Sequence, residues 1–460
     1  MYDTIIIGAG MSGLAAGIRL AYFDQRVCIL ERHTTVGGLN SFYRQRGRNY
    51  DVGLHAVTNV CDPTRNKRAP LSRLLRQLRF TWDDFAISPQ IGSRIAFPDM
   101  SLSFNNNLDL LRSEIQAKFP REVDNFERLL AEITDYDDVN LLDRQPSARR
   151  VVGAILGDPL LIEMLFCPLM FYGSASEHDM DFAQFSIMFR SIFLEGLGRP
   201  RAGVRLILKN LVRRFRSLGG ELKLRSGVRH LGVRDDQVEQ VELDDGQTLQ
   251  ARRVLSSAGW LETMRLCDRA EETSSHRPGQ LSFCETIATL DVPPADLRHR
   301  DTIVFFNDSP HFHWEKPDVP CDLRSGVICS PNNFEYPRPL SEGTLRITVL
   351  ANYDRWKSMG EETYRLEKLR WYDKMATSAV RFVPDYRGHV IDTDMFTPTT
   401  IVRYTGHCNG AIYGSPDKQR DGTTHLKNLF VCGTDQGWVG IIGSLMSGIS
   451  IANQHLLRES

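Results

Sequence analysis

Tyr2-Asp3-Thr4-Ile5-Ile6-Ile7 runs directly into Gly8-Ala9-Gly10-Met11-Ser12-Gly13, with Gly17 four positions further on. The first six residues form a short β-branched run that suits a buried strand, and the glycines that follow have the spacing GxGxxG. Each glycine in the pattern has its own reason. Gly8 lets the chain turn sharply out of the strand, Gly10 lets bare backbone approach a pyrophosphate, and Gly13 lets the next helix pack close to the sheet. A helix over about residues 12–22 then aims its free N–H groups and positive end at the phosphates. The stretch predicts a nucleotide-pyrophosphate site; alone, it fits NAD, FAD or simply a tight turn.

Residues 25–30 read as a second strand, and Glu31 closes it at the distance where an acidic side chain accepts hydrogen bonds from a ribose 2′-OH. An anionic Glu31 disfavours a 2′-phosphate, and with it NADP. Gly37-Gly38 follows a few residues on, and then Tyr50-Asp51-Val52-Gly53. With these segments the chain resembles the FAD-dependent oxidoreductases of the phytoene desaturase, carotenoid isomerase and retinol saturase group, within the larger amine-oxidase-like flavoprotein superfamily. In that group a double glycine after the ribose-binding acid continues the dinucleotide site, and an aromatic-Asp-x-Gly segment comes shortly afterwards. Leu39 stands where the family often carries Arg.

Two further blocks extend the resemblance over nearly the whole chain. At the C-terminal end, residues 428–432 read as a strand, Gly433-Thr434-Asp435 follows, and Gly437, Gly440, Gly443 and Gly448 punctuate a run to Leu457. In the middle, residues 206–218 form an amphipathic helix ended by Gly219-Gly220. Strands over 221–225 and 227–233 come next, then a hairpin turning at Asp244-Asp245-Gly246, and a strand over 253–258 ending at Gly259.

The resemblance implies FAD, bound by the first glycine loop (Gly8, Gly10, Met11, Ser12, Gly13) and by Glu31 with Arg32. It adds Gly37, Gly38, Leu39 and Asn40, the Gly53 and His55 segment, Val228 against the adenine, and Gly259. From the C-terminal block it implies Gly433, Asp435 on the ribityl hydroxyls, and Gly440, Ile441 and Ile442 beside the flavin ring. A helix N-terminus is suited to that last position, because reduced flavin carries negative charge that unpaired N–H groups stabilise.

Composition is consistent with this. At 460 residues and 42% hydrophobic content, the chain can build two interleaved domains. The expected architecture is α/β: a Rossmann-like FAD-binding domain from residues 1–75, 200–285 and 395–460, and an α+β substrate domain from 76–199 and 286–394, its first part mainly helical. A net charge of -1 gives no electrostatic reason to expect nucleic acid. Nine cysteines without metal spacing, and an N-terminus lacking a basic leader, point to a reduced, cytoplasmic setting, and no metal is expected. Cys432 reads as a small buried hydrophobe. Runs of about 20 apolar residues are absent, so no transmembrane helix is expected.

Between Leu160 and Leu197 large apolar residues crowd together, among them Met164, Phe166, Met170, Phe171, Tyr172, Phe185, Met188 and Phe193. They read chiefly as a helical core, of which a few members could line a lipid tunnel. Arg65, Lys67, Arg68, Arg73, Arg76 and Arg79 read as a solvated helix face with room for peripheral membrane contact. His55 is placed to approach the flavin, with a structural hydrogen bond as the plainer role, and His311 and His313 lack a third ligand for a metal.

The expected function is hydride transfer to or from flavin N5 on a hydrophobic polyene or isoprenoid substrate, as desaturation, saturation or isomerisation. An amine-oxidase-like enzyme for a smaller polar substrate and a non-catalytic flavoprotein are the alternatives. The sequence names no catalytic residue and no oligomeric state.

Overall fold

The computed structural model describes residues 1–61, 66–136, 146–267 and 276–457; Arg65, one of the basic residues noted above, lies outside them. Two sheets organise the molecule. The first has five parallel strands in the order Leu429–Val431, Ala251–Ser256, Tyr2–Ile7, Val27–Glu31, Glu221–Leu224. Its central strand explains the isoleucine run: Ile6 packs with the helices of one face, while Ile5 and Ile7 pack on the other, so every position is apolar instead of every second one.

The helical face is built by Met11–Ala21, Val204–Ser217 and Gly440–Ile451. Close approach there is set by glycine. A Cβ on Gly13 would sit 2.1 Å from the Gly8 carbonyl oxygen, and one on Gly448 would sit 2.0 Å from that of Ser12, so the first helix lies tight against both its own strand and the C-terminal helix. On the opposite face lies the three-stranded meander Val228–Arg234, Gln237–Leu243, Thr248–Leu249.

The second sheet has seven strands in the order Val390–Phe396, Ser282–Leu290, Gly343–Ala351, Ser325–Cys329, Ile303–Asn307, Ser93–Phe97, Met100–Phe104. All pairings are antiparallel except that between Ile303–Asn307 and Ser93–Phe97. Ser282–Leu290 and Val390–Phe396 both belong to this sheet, so the expected domain borders at 285 and 395 fall within its strands. Helices Leu108–Lys118, Val123–Asp135, Pro159–Gly173 and Phe182–Phe189 cover one face, and Glu361–Ala379 the other. The apolar residues from Met164 to Phe193 are mostly core, with Met164, Phe166 and Phe185 fully buried. Among the described residues no helix is long and apolar enough to cross a membrane.

Candidate active site

Two cavities lie along the first domain, one at the Gly8–Gly13 loop and one beyond Leu39 and Asn40. The first, about 280 Å³, is lined by Gly8, Gly10, Glu31, Arg32, Gly38, Val228, Ser257, Glu262 and His407. Here the first strand ends, the second ends at Glu31, and the meander begins at Val228. A Cβ built on Gly10 meets nothing within 4 Å, and one on Gly38 meets only the Gly10 Cα at 3.8 Å, so this backbone is bare and open to a ligand. The helix that starts at Met11 has neither a side-chain cap nor an acidic residue in its first turn, which leaves its positive end to an anion. Glu31 is 8% exposed, and its two carboxylate oxygens accept from the Ala9 and His33 N–H groups, both at 2.8 Å. Those bonds fix the carboxylate at the cavity edge.

Glu262 and His407 give this cavity a second charged wall that sequence reasoning did not find. His407 Nδ1 lies 3.7 Å from Glu262 Oε1, and the Cys408 N–H donates to the same oxygen at 2.7 Å. Burial alone would raise the Glu262 carboxyl, but His407 and that N–H outweigh it and hold it at about 2. Burial likewise opposes charge on His407, yet Glu262 raises it above the ordinary imidazole value. The residues are 145 positions apart, so no local pattern announces the pair.

The second cavity, about 130 Å³, lies where the first domain's loops meet the second sheet. Leu39, Asn40, Gly53 and His55 come from one side, and Thr434, Gly440, Ile441 and Ser444 from the turn into the C-terminal helix. That helix has an uncapped, uncharged N-terminus. The remaining wall is apolar and aromatic: Phe171, Tyr172, Met188, Phe283, Val327, Ile412 and Tyr413.

One edge of this wall is a buried polar network. In the second sheet Glu285 stands directly opposite Thr348, and Arg346 lies two residues along the same strand as Thr348, so all three share one face. Arg346 Nε donates to Glu285 Oε1 at 2.7 Å, and its Nη groups donate to the Leu54 and Asp51 carbonyls at 2.9 and 3.0 Å. Arg199 pairs with Asp51 and donates to the Leu54 and His55 carbonyls. His55 Nε2 lies 3.0 Å from Glu285 Oε2 and 2.8 Å from Thr348 Oγ1. Because Thr348 Oγ1 also donates to Glu285 at 2.9 Å, its oxygen is free to accept, which puts the imidazole proton on Nε2. Burial lowers the His55 pKa; Glu285 pulls the other way without reversing this, and Arg346 and Arg199 reinforce burial. Burial would raise Glu285, but Arg346 and then His55 hold it at about 2. The imidazole is therefore neutral beside an ionised carboxylate.

Several expected site residues are engaged by the protein itself. Asp435 is 3% exposed and turned from both cavities: Oδ2 accepts from the Trp260 N–H at 2.6 Å and Oδ1 from the Ser415 N–H at 2.8 Å. Its carboxylate joins two loops with one accepted bond per oxygen, as that of Glu31 does, and each oxygen retains a second lone pair. Gly259, with φ of 107°, sits at that junction, where a Cβ would strike Glu262 and approach Asp435. Ile442 packs in the core, 1% exposed, as does Met11. Ser12 and Gly433 pack against each other, and Gly37 packs on Leu208 and the Asn40 carbonyl. Arg32 reaches the Val402 and Arg403 carbonyls at the end of helix Pro398–Thr405. Among the described residues no group of three or more His, Cys, Asp or Glu could hold a metal, and His311 instead faces Glu163 at 3.4 Å. Cys432 is buried, and burial pushes its thiol up to about 12.

The two cavities, one lined by Gly38 and the other by the adjoining Leu39 and Asn40, each beside an uncapped helix N-terminus, fit an extended dinucleotide with a planar ring at one end. Comparison with known proteins agrees. The chain is 21% identical over 508 residues to prolycopene isomerase 2 of an Oncidium hybrid cultivar, covering 98% of this chain and 83% of that one. It is 22% identical over 553 residues to the all-trans-retinol 13,14-reductase of Danio rerio, covering 100% and 87%. Its fold is similar to the crystal structure of putrescine oxidase bound to putrescine, with a TM-score of 0.66 at 15% identity, covering 99% of each chain. The family model for flavin containing amine oxidoreductases matches residues 11–456. The chain belongs to this flavin containing amine oxidoreductase family, and its cofactor is FAD.

Proposed function

We infer that the protein is an FAD-dependent oxidoreductase acting on a hydrophobic polyene or isoprenoid substrate, by desaturation, saturation or isomerisation. The observation that carries this reading is the wall of Phe171, Met188, Phe283, Val327 and Ile412 beside the turn at Gly440. Burying a polyene against such a wall contributes about 25 cal/mol for each Å² of apolar surface removed from water.

In this reading Glu31 and Val228 take the adenosine end of FAD, and Gly10, Gly38 and the start of the first helix take the pyrophosphate. Gly440 and Ile441, with Leu39, Asn40, Gly53 and His55, surround the ring. Bound there, FAD supplies hydride acceptance or donation at N5. The protein's own part is to hold an activated C–H over the ring and to keep water out.

The amine-oxidase alternative is disfavoured by charge. An ammonium substrate is drawn to an uncompensated anion, and Glu285, the one carboxylate lining this cavity among the described residues, is already neutralised by Arg346; that alternative would have to use the rings of Phe171, Tyr172, Phe283 and Tyr413 instead. Anaerobic mixing of the FAD-loaded protein with prolycopene, phytoene and all-trans-retinol, each with oxidised and with reduced flavin, tests the reading. A polyene-dependent change in the flavin spectrum with a matching product supports it; bleaching by primary amines alone, with peroxide formed in air, sinks it.

We extend the reading to peripheral membrane contact through Lys67, Arg68, Arg73 and Arg76, all exposed on or just before the helix Pro70–Leu78. Flotation with vesicles of anionic and of neutral lipid checks it: equal recovery with both would remove the basic face from any such role.

A further inference from the structure

His55 is held as a general base is held, and nothing in its surroundings uses its second nitrogen. Nε2 is committed to Glu285 and Thr348, while Nδ1 has no partner among the described residues and is not among the buried atoms left without one. Since His55 lines the second cavity, Nδ1 is open to that space. The groups packed on His55 are otherwise committed, save the Tyr172 hydroxyl, which is buried without a partner among the described residues. Arg199 and the Cys329 thiol bond its carbonyl, Arg346 is held by Glu285 and two carbonyls, and the Tyr172 ring lies beside the imidazole at 6.4 Å. Two cations, Arg199 and Arg346, balance two anions, Asp51 and Glu285, so the neutral imidazole completes an uncharged set that can accept one proton.

We propose that His55 is the catalytic proton acceptor of this enzyme, with Glu285 as the positioning residue that fixes its tautomer and stabilises its protonated form. The proposal rests on the FAD and polyene reading above. In the oxidative direction, one substrate C–H bond breaks with its electron pair, and that hydride passes to oxidised FAD. The neighbouring C–H, or an O–H, gives its proton to His55 Nδ1, and the electron pair of that bond becomes the new double bond. The substrate loses two electrons and FAD gains them, and the imidazolium would offset negative charge on the reduced cofactor. In the reductive direction the same proton returns to the substrate from Nδ1 as hydride leaves the reduced cofactor.

The experiment uses the FAD-loaded wild type beside His55→Gln and His55→Asn, each first checked for FAD content. Proton uptake on stepwise reduction, read from the pH dependence of the midpoint potential near neutrality, where His55 is neutral in the oxidised protein, needs no substrate. Two protons per two electrons in the wild type and one in both variants are expected; equal uptake in all three overturns the assignment. With a polyene that reduces the flavin, the variants should fall by about 10²- to 10⁴-fold in reduction rate, with ligand affinity kept and the acid limb of the pH profile lost. Undiminished rates overturn it too. In Glu285→Gln the acid limb should move to lower pH, and an unmoved limb removes Glu285 from positioning. If no polyene changes the flavin, the substrate reading fails on its own, and the proton count still decides for or against His55.

Discussion

Arg346→Met should be among the most damaging single substitutions in this chain, and its cost can be worked from the site. Arg346 and Glu285 are each 2% exposed, so neither charge has water to fall back on. Against burial, Arg346 first and His55 after it hold the Glu285 carboxyl at about 2 where an ordinary one titrates at 4.5, so Arg346 supplies the largest part of the gap. That gap corresponds to about 3 kcal/mol, in line with the roughly 3–5 kcal/mol lost when one partner of a buried ion pair is removed. The sign follows from the direction: a depressed carboxyl stabilises the fold above its unfolded value and loses that contribution as pH falls from 4.5 toward about 2. In Arg346→Met the stranded carboxyl is raised instead, so that variant is least impaired in acid. Urea unfolding followed by tryptophan fluorescence, at about pH 7 and about pH 5, should show a large deficit that shrinks on acidification. Adding Glu285→Gln to Arg346→Met removes the stranded charge while keeping an acceptor for Thr348, and should restore about 2 kcal/mol. A double variant no more stable than the single one would refute the electrostatic account and leave lost packing as the cause.

Glu31→Gln should weaken FAD binding by about 1.5–3 kcal/mol, because one charged acceptor of the Ala9 and His33 amides becomes a donor; fluorescence titration of the FAD-free protein measures it, and an unchanged affinity would remove Glu31 from the site. Gly13→Ala should lose at least about 1–3 kcal/mol, since its Cβ would stand 2.1 Å from a backbone carbonyl that cannot move alone; wild-type thermal stability and full FAD content would contradict the close crossing. His407 is raised by Glu262, so the stability it lends the first cavity is complete below 6.5 and fades as pH rises through its titration. FAD retention in dialysis should decline over that interval, and His407→Gln should flatten the profile.

What could be read in the sequence was what is local. The glycine loop, the strand before it and Glu31 all act within about one βαβ unit, where spacing fixes geometry. The isoleucine run likewise announces a strand buried on both faces. Glu285 and Arg346 look like ordinary strand charges in isolation; only the pairing of Ser282–Leu290 with Gly343–Ala351, and the cover on both faces of that sheet, makes them a buried pair. His55 becomes more than a residue near a glycine because strands some 230 and 293 positions away meet it. Asp435 shows the reverse: its motif is local, but its direction is set by the Trp260 and Ser415 turns, which no spacing around Asp435 encodes.

The tight crossing of the first helix and the C-terminal helix has a consequence for how the protein is made. Tyr2–Ile7 lies at the centre of a sheet whose edge strand is Leu429–Val431, and Arg19 Nε and Gln25 Nε2 bond Asn453 and the Leu456 carbonyl. At translation rates of about 5–20 residues per second, the earliest strand waits roughly 20–90 s for its last partners to leave the ribosome. During that time the strand has its near partners, Met11–Ala21 and Val27–Glu31, but the face that receives the C-terminal helix stays uncovered, which makes the nascent chain a client for chaperones. The second cavity can close only after the helix Gly440–Ile451 has been made and released, so FAD loading waits for a segment more than 400 residues beyond the glycine loop.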